Sequence, residues 1–385
     1  MITCLKLQQL KVMKLVKILT ACLVIAIAIA AKFPEKRKPV VIGYVTGYNG
    51  LVDPNKISAE KLTHINYAFV NIKNNRAFLD NAKRDSINFV RLNSLKAKNP
   101  SLQLLISIGG WSWSENFSNA VLTDSLRKVF AKSAVAIIRK HQLDGVDIDW
   151  EYPGMPGEQG NVYRPQDRDN YTLMFAELRK ELDQLEKETG HKKLLTTATG
   201  GFPYFLQNTN MAEAAKFLDY INLMTYDYYS DKKAKHHTNL YHSNAYSPDN
   251  SADNAVKAYL NAGVPAAKLV VGIAFYGRNF KLKANSLKGL GDTIASSSNS
   301  YGKGYTFLKD SLVNKNGFAA YRDEEAKAPF LFNVTSKEFI SYDDEWSVAH
   351  KCQYVLQNQL AGVMFWEYGA DEKEYLLNQI VKSFK

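Results

Sequence analysis

The sequence predicts an α/β protein: a (β/α)8 TIM barrel with a small α+β insertion between its seventh and eighth strands. Three observations carry this. Eight short apolar runs recur between residues 40 and 369, amphipathic patterns separate many of them, and the last interval is too long for one helix. Strands that alternate with helices build a parallel sheet, and eight of them close into a barrel. An open doubly wound sheet is the alternative. It would want a glycine-rich phosphate loop after the first strand, and "GYVTGYNG" at 43–50 lacks that spacing.

The runs in order are "VVIGYVTGY" (40–48), "LTHINYAFV" (62–70), "LQLLISIGG" (102–110), "DGVDIDWEYP" (144–153), "LLTTATGG" (194–201), "YINLMTYDY" (220–228), "LVVGIAFYG" (269–277) and "AGVMFWEYG" (361–369). Helical patterns at 123–142 and 168–187 flank the fourth run, the second with Tyr171, Phe175, Leu178, Leu182 and Leu185 at helical spacing. Residues 278–360 separate runs seven and eight, and this stretch is rich in Gly, Ser and Tyr with short β-like pieces such as "PFLFNVT". The expected division is a barrel over 39–278 and 341–385 and an insertion over 279–340, forming one wall at the barrel's C-terminal face.

Residues 1–31 read as a signal peptide. Lys11, Lys14 and Lys17 precede the apolar stretch "ILTACLVIAIAIAA" (18–31), too short to span a bilayer comfortably, and Ala28-Ile29-Ala30 offers a cleavage site. Met13 is an alternative start. "LTAC" (19–22) resembles a lipobox that would anchor Cys22, but the apolar run continues past it, so export without an anchor ranks first. Of three cysteines only Cys352 would then remain, leaving no intrachain disulfide and a fold that rests on its core. A chain of 385 residues with 46% apolar content has ample core for that. The net charge of +11 comes from scattered Lys and Arg with no run beyond "EKRKP" (35–39), which reads as a solvated basic surface and not as a nucleic-acid site. No membrane span is expected in the mature chain, and a monomer is.

The fourth run concentrates the chemistry. Side chains alternate faces along a strand, so Asp147, Asp149 and Glu151 share one face while Val146, Ile148 and Trp150 share the other. The apolar face suits packing against helices. The acidic face then points into the barrel, with Glu151 nearest the C-terminal mouth. Asp144 is out of phase and reads as structural. Three like charges on a buried face cannot all ionise cheaply, so at least one pKa must rise. A protonated carboxyl near a cleft is what a general acid requires: Glu151 would donate, and Asp149 beneath it would hold the shared proton. A metal site is disfavoured because Ile148 and Trp150 stand where a calcium loop needs Gly and polar residues. A solvated acidic edge does not fit the bulky apolar face.

These residues carry a resemblance. "DGVDIDWE" (144–151) matches the D-G-x-D-x-D-W-E signature of family 18 glycoside hydrolases, the chitinases. "SIGGW" (107–111), "MTYD" (224–227), "YGR" (276–278), "MFWEY" (364–368) and "FISYDDEWSVAHK" (339–351) resemble further motifs of that family. The resemblance implies a retaining hydrolase of β-1,4-linked N-acetylglucosamine in chitin or its oligosaccharides. The substrate's own acetamido oxygen would act as nucleophile, an exception to the two-carboxylate scheme. It implies Glu151 as acid and then base, Asp149 as partner of the acetamido N–H sharing a proton with Asp147, and Tyr226 as the residue positioning the acetamido group, aided by Asp227. Tyr44 and Ser107 would support the acids from inside. Trp366 would be the floor for the distorted sugar, with Trp111, Phe69, Met224, Tyr276 and Arg278 lining the cleft.

No cofactor and no metal is expected. His236, His237 and His242 cluster after the sixth run, but their spacing fits no structural zinc site, and they read as a loop. Two other functions compete. A sugar-binding lectin of the same family typically lacks the acid at the Glu151 position, which is present here. An endo-β-N-acetylglucosaminidase of N-glycans generally lacks the long insertion.

Overall fold

The computed structural model describes residues 38–385, except 231, 247–249 and 297–300, together with Met13. The expected signal peptide, with Cys4 and Cys22, thus lies outside the described residues apart from Met13. Among the described residues no helix is long and apolar enough to cross a membrane.

Eight parallel strands close on themselves. They are Val40–Thr46, His64–Lys73, Gln103–Gly109, Gly145–Asp149, Leu194–Gly200, Tyr220–Met224, Leu269–Ala274 and Gly362–Trp366, termed barrel strands one to eight. Each pairs with its sequence neighbour, and strand eight closes on strand one from Val40↔Gly362 to Gly43↔Phe365. The α/β barrel expected from the eight runs is the fold observed. The flanking helices run Asp124–His141 and Asp167–Thr189. Thr123 caps the first by accepting from Leu126 N, and left-handed Gln142 ends it.

Alternation along strand four sorts its side chains as expected. Val146, Ile148 and Trp150 are fully buried outside the barrel, where Trp150 stacks on Phe117 at 5.1 Å and meets Tyr171 edge-on at 5.9 Å. A separate apolar cluster fills the interior, with Ile42, Tyr44, Ala68, Val270 and Met364 among its members. Asp144, out of phase, accepts from Leu104 N at 2.8 Å and pairs with Lys96 at 2.7 Å, a structural role at the base of the strand.

Between barrel strands seven and eight the chain forms a six-stranded sheet whose pairings are antiparallel. Its first strand, Tyr276–Leu282, begins two residues after barrel strand seven ends at Ala274, so the run 269–277 divides between two sheets. At the break Phe275 N turns to Trp366 O, and the Phe275 ring stacks on Phe365 at 4.1 Å. Tyr276 and Arg278 therefore belong to the second sheet, where Arg278 pairs with Ser341. Phe280, Phe330, Phe332 and Phe339 form the core of that sheet.

Candidate active site

The acidic column stands on strand four. Asp147, wholly buried, accepts four hydrogen bonds from four other strands: Tyr44 Oη at 2.9 Å and Ser107 Oγ at 2.7 Å to one oxygen, Thr196 Oγ1 at 2.6 Å and Asn222 Nδ2 at 3.3 Å to the other. Burial raises its carboxyl pKa above the ordinary value, and these donors offset part of the rise. Asp149 is the opposite case. Its Oδ1 is buried without a hydrogen-bond partner among the described residues. Burial, then the charges of Glu151 and Asp147, push its pKa well above the ordinary range. Burial and its acidic neighbours thus favour the protonated form of Asp149.

Glu151 follows at the mouth. Burial raises its pKa to about 7, with Asp227 and Glu158 adding to the rise and a hydrogen bond with Tyr152 opposing it. Its backbone is fixed on both sides. Ser114 Oγ accepts from Glu151 N at 2.9 Å, and Asn161 Nδ2 donates to Glu151 O at 3.1 Å. Gly110 N donates to Asp149 O at 2.7 Å. Neighbouring Gly109, at φ 109°, lies so close that a Cβ would stand 2.2 Å from Asp149 O, so no other residue fits.

Across the mouth, Met224, Tyr226, Asp227, Tyr228 and Tyr229 join Glu151, Tyr152 and Phe202 around a cavity of about 340 Å³. Asp227 is gripped from three directions. Arg278 donates through Nε and Nη2, both at 2.7 Å, Tyr276 Oη donates at 2.8 Å, and His237 Nδ1 lies 3.4 Å away. Burial opposes its charge, yet His237 and Arg278 hold its pKa well below the usual carboxylate range. Burial in turn pushes the His237 imidazole below its ordinary value, so it is neutral at pH 7. Arg278 also lies over the Tyr229 ring at 4.9 Å. On the opposite rim Trp366 stacks on Phe69 at 5.3 Å with 16° between planes and leans on Tyr44 at 5.8 Å. Trp111 is half exposed, edge-on to Tyr152 at 6.4 Å.

All thirteen expected residues thus gather at the C-terminal end of the barrel, but not all line the cleft. Tyr44, Ser107 and Tyr276 are 2%, 0% and 1% exposed. They stand behind the surface because their hydroxyls serve Asp147 and Asp227. The site has further contributors besides these thirteen. Thr196 and Asn222 sit at inward positions of runs five and six, where a polar residue in an apolar run is itself a signal. Ser114 and Tyr152 carry no such mark. The histidine loop divides: His236 lies 3.3 Å from Asp323, and His237 faces Asp227. Among the described residues no group of three or more metal-ligating side chains forms.

Known proteins resemble this chain over most of its length. The family model described as glycosyl hydrolases family 18 matches residues 40–371. Chitinase A1 of Niallia circulans is 41% identical over 307 residues, 76% of this chain but 44% of that relative, so the chain spans less than half of its length. Chitinase B of Serratia marcescens is 33% identical, covering 82% of this chain and 74% of the relative. A solved family 18 N-acetylglucosaminidase from Paenibacillus barengoltzii superposes with a TM-score of 0.83 at 40% identity, over 90% of this chain and 99% of that one. A matched family model over most of the chain, together with a relative 33% identical over most of both lengths, leaves one assignment: this chain belongs to glycosyl hydrolase family 18.

Proposed function

We propose that the chain hydrolyses β-1,4 linkages between N-acetylglucosamine units of chitin or chitooligosaccharides with retention, using the substrate's acetamido group as nucleophile. The observation that carries this is the setting of the three acids, Asp147, Asp149 and Asp227, that are built into the barrel around Glu151. Asp149 lies below it in a buried setting that disfavours its anion, Asp147 is saturated by four donors, and Asp227 is committed to Arg278, Tyr276 and His237. A retaining glycosidase of the two-carboxylate kind needs a free anionic partner to attack the sugar. With none available, the nucleophile has to come with the substrate.

In this reading Glu151, protonated below about pH 7, gives its proton to the leaving oxygen and then takes one from water. Asp149 faces the acetamido N–H and shares its proton within the column. Tyr226 aligns the acetamido carbonyl, and Trp366 with Phe69 carries the sugar ring. Trp111, Met224 and Arg278 border the cleft. The same reading takes the protein as exported through residues 1–31 and monomeric, with an insertion over 279–340 walling the cleft. Product analysis on chitin oligomers and on N-glycans, wild type against Glu151→Gln, tests it. Chitin oligomers should be cut by the wild type alone. Release of N-glycans in preference, or unchanged turnover by the variant, would overturn it.

A further inference from the structure

A second buried charged cluster lies outside the acidic column. Lys351 and Asp343 are both wholly buried and paired at 2.7 Å. Asp343 Oδ2 also accepts from Thr238 Oγ1 at 2.9 Å and from Ala274 N at 3.1 Å, and Oδ1 accepts from Ser347 Oγ at 2.7 Å. Lys351 Nζ donates to Thr238 Oγ1 at 2.7 Å. Three chain segments meet here: the end of barrel strand seven, the histidine loop, and the start of helix Glu345–Gln357 with the residues before it. Burying two charges is costly and earns little stability by itself, so the cluster invites another explanation.

That explanation lies one layer closer to the cavity. Thr238 Oγ1 lies 3.4 Å from Thr225 O, the carbonyl just before Tyr226. His237 O accepts from Tyr228 N at 3.1 Å, just after Asp227. His237 Nδ1 lies 3.4 Å from Asp227 N, and His237 N is tied to Ser341 Oγ at 2.8 Å. His237 therefore holds the Tyr226–Asp227 pair by hydrogen bonds on its far side, and Thr238, whose single hydroxyl proton is taken by Asp343, packs against the carbonyl on its near side. Asp227 also has a φ of 61°, a left-handed conformation that carries a free-energy cost for a non-glycine residue, which these contacts offset.

We infer that the buried Lys351–Asp343 pair, acting through Thr238 and His237, is the device that positions Tyr226 and Asp227 in the active site. Lys351, Asp343 and Thr238 are positioning residues that do not touch substrate. The inference rests on the reading of Tyr226 as the group that aligns the acetamido carbonyl.

Thr238→Val tests it with the least disturbance, because the shape and the ion pair stay while the hydroxyl goes. Steady-state kinetics on an aryl N,N′-diacetylchitobioside should show kcat falling about ten- to hundredfold and KM within about twofold, with a melting temperature lowered by roughly a few degrees for the lost buried hydrogen bonds. In a Tyr226→Phe background the same substitution should add nothing further, because both act on one group. Lys351→Met should lower kcat and melting temperature together, and Lys351→Met/Asp343→Asn should recover melting temperature without recovering kcat. Wild-type kcat in Thr238→Val, additive losses with Tyr226→Phe, or recovery of kcat along with stability in the double variant would each overturn the inference. Should Tyr226→Phe itself turn over like the wild type, the reading of Tyr226 fails instead. The brace is then judged by hydrogen exchange of the peptide spanning 225–228: faster exchange in Thr238→Val upholds it, and unchanged exchange overturns it.

Discussion

Asp147 and Asp149 stand two residues apart on one face of barrel strand four, in opposite electrostatic settings. Asp147 is surrounded by hydroxyl and amide donors from four other strands, whereas Asp149 keeps a buried oxygen with no partner among the described residues. The donors around Asp147 favour its anion, whereas burial and acidic neighbours favour a proton stored on Asp149, directly beneath Glu151.

Stability should report that stored proton. The folded pKa of Asp149 lies well above its ordinary value of 3.8. Its favourable contribution is thus fully present below the unfolded pKa and is lost as pH rises through the folded one. Asn at this position carries no charge at any pH. Calorimetry should find Asp149→Asn melting above the wild type at neutral pH, by a margin that shrinks towards about pH 4. A margin independent of pH would show that Asp149 is not the proton's seat.

The pH profile should report Glu151. As a general acid it works while protonated, so kcat/KM should decline as pH rises through about 7. Glu158 contributes to that elevation. Removing its charge in Glu158→Gln should move the alkaline limb towards acid by a few tenths of a unit, with little loss on the plateau, as expected for a partly screened charge. A limb that stays in place would mean that Glu158 does not act on the acid.

The ring of donors around Asp147 should matter to folding. Ser107→Ala and Thr196→Val each remove one hydrogen bond to a buried carboxylate. Urea unfolding should show a loss of about 1.5–3 kcal/mol for each. Because both donate to the same carboxyl, the double variant should depart from additivity. Losses under half a kcal/mol would mean that the carboxyl does not depend on these donors.

Much of this was readable before any coordinates, for local reasons. A period of two put Asp147, Asp149 and Glu151 on one face and Trp150 on the other, and the structure keeps that division. The same alternation marks Thr196 and Asn222, inward polar residues in apolar runs. What could not be read is tertiary. His237 lies ten residues beyond Asp227, and only the folding back of its loop brings them together. Tyr276 looks like a lining residue in its run, and it is the bond from its hydroxyl to Asp227 that sets it behind the cleft. The division of run seven at Phe275 is invisible in a continuous apolar stretch, because a neighbouring strand's carbonyl and Phe365 decide it.

The central claim, a proton from Glu151 and a nucleophile from the substrate, is tested most directly by changing the substrate. Two aryl chitobiosides should be compared, alike except that one has a free amine in place of the acetamido group on the sugar being cleaved, with the product anomer followed by NMR. The account predicts that the acetylated compound is hydrolysed with the β anomer formed first, and that the amine is turned over at least about a thousandfold more slowly, the scale expected when an intramolecular nucleophile is lost. Comparable rates on both, or first formation of the α anomer, would contradict it.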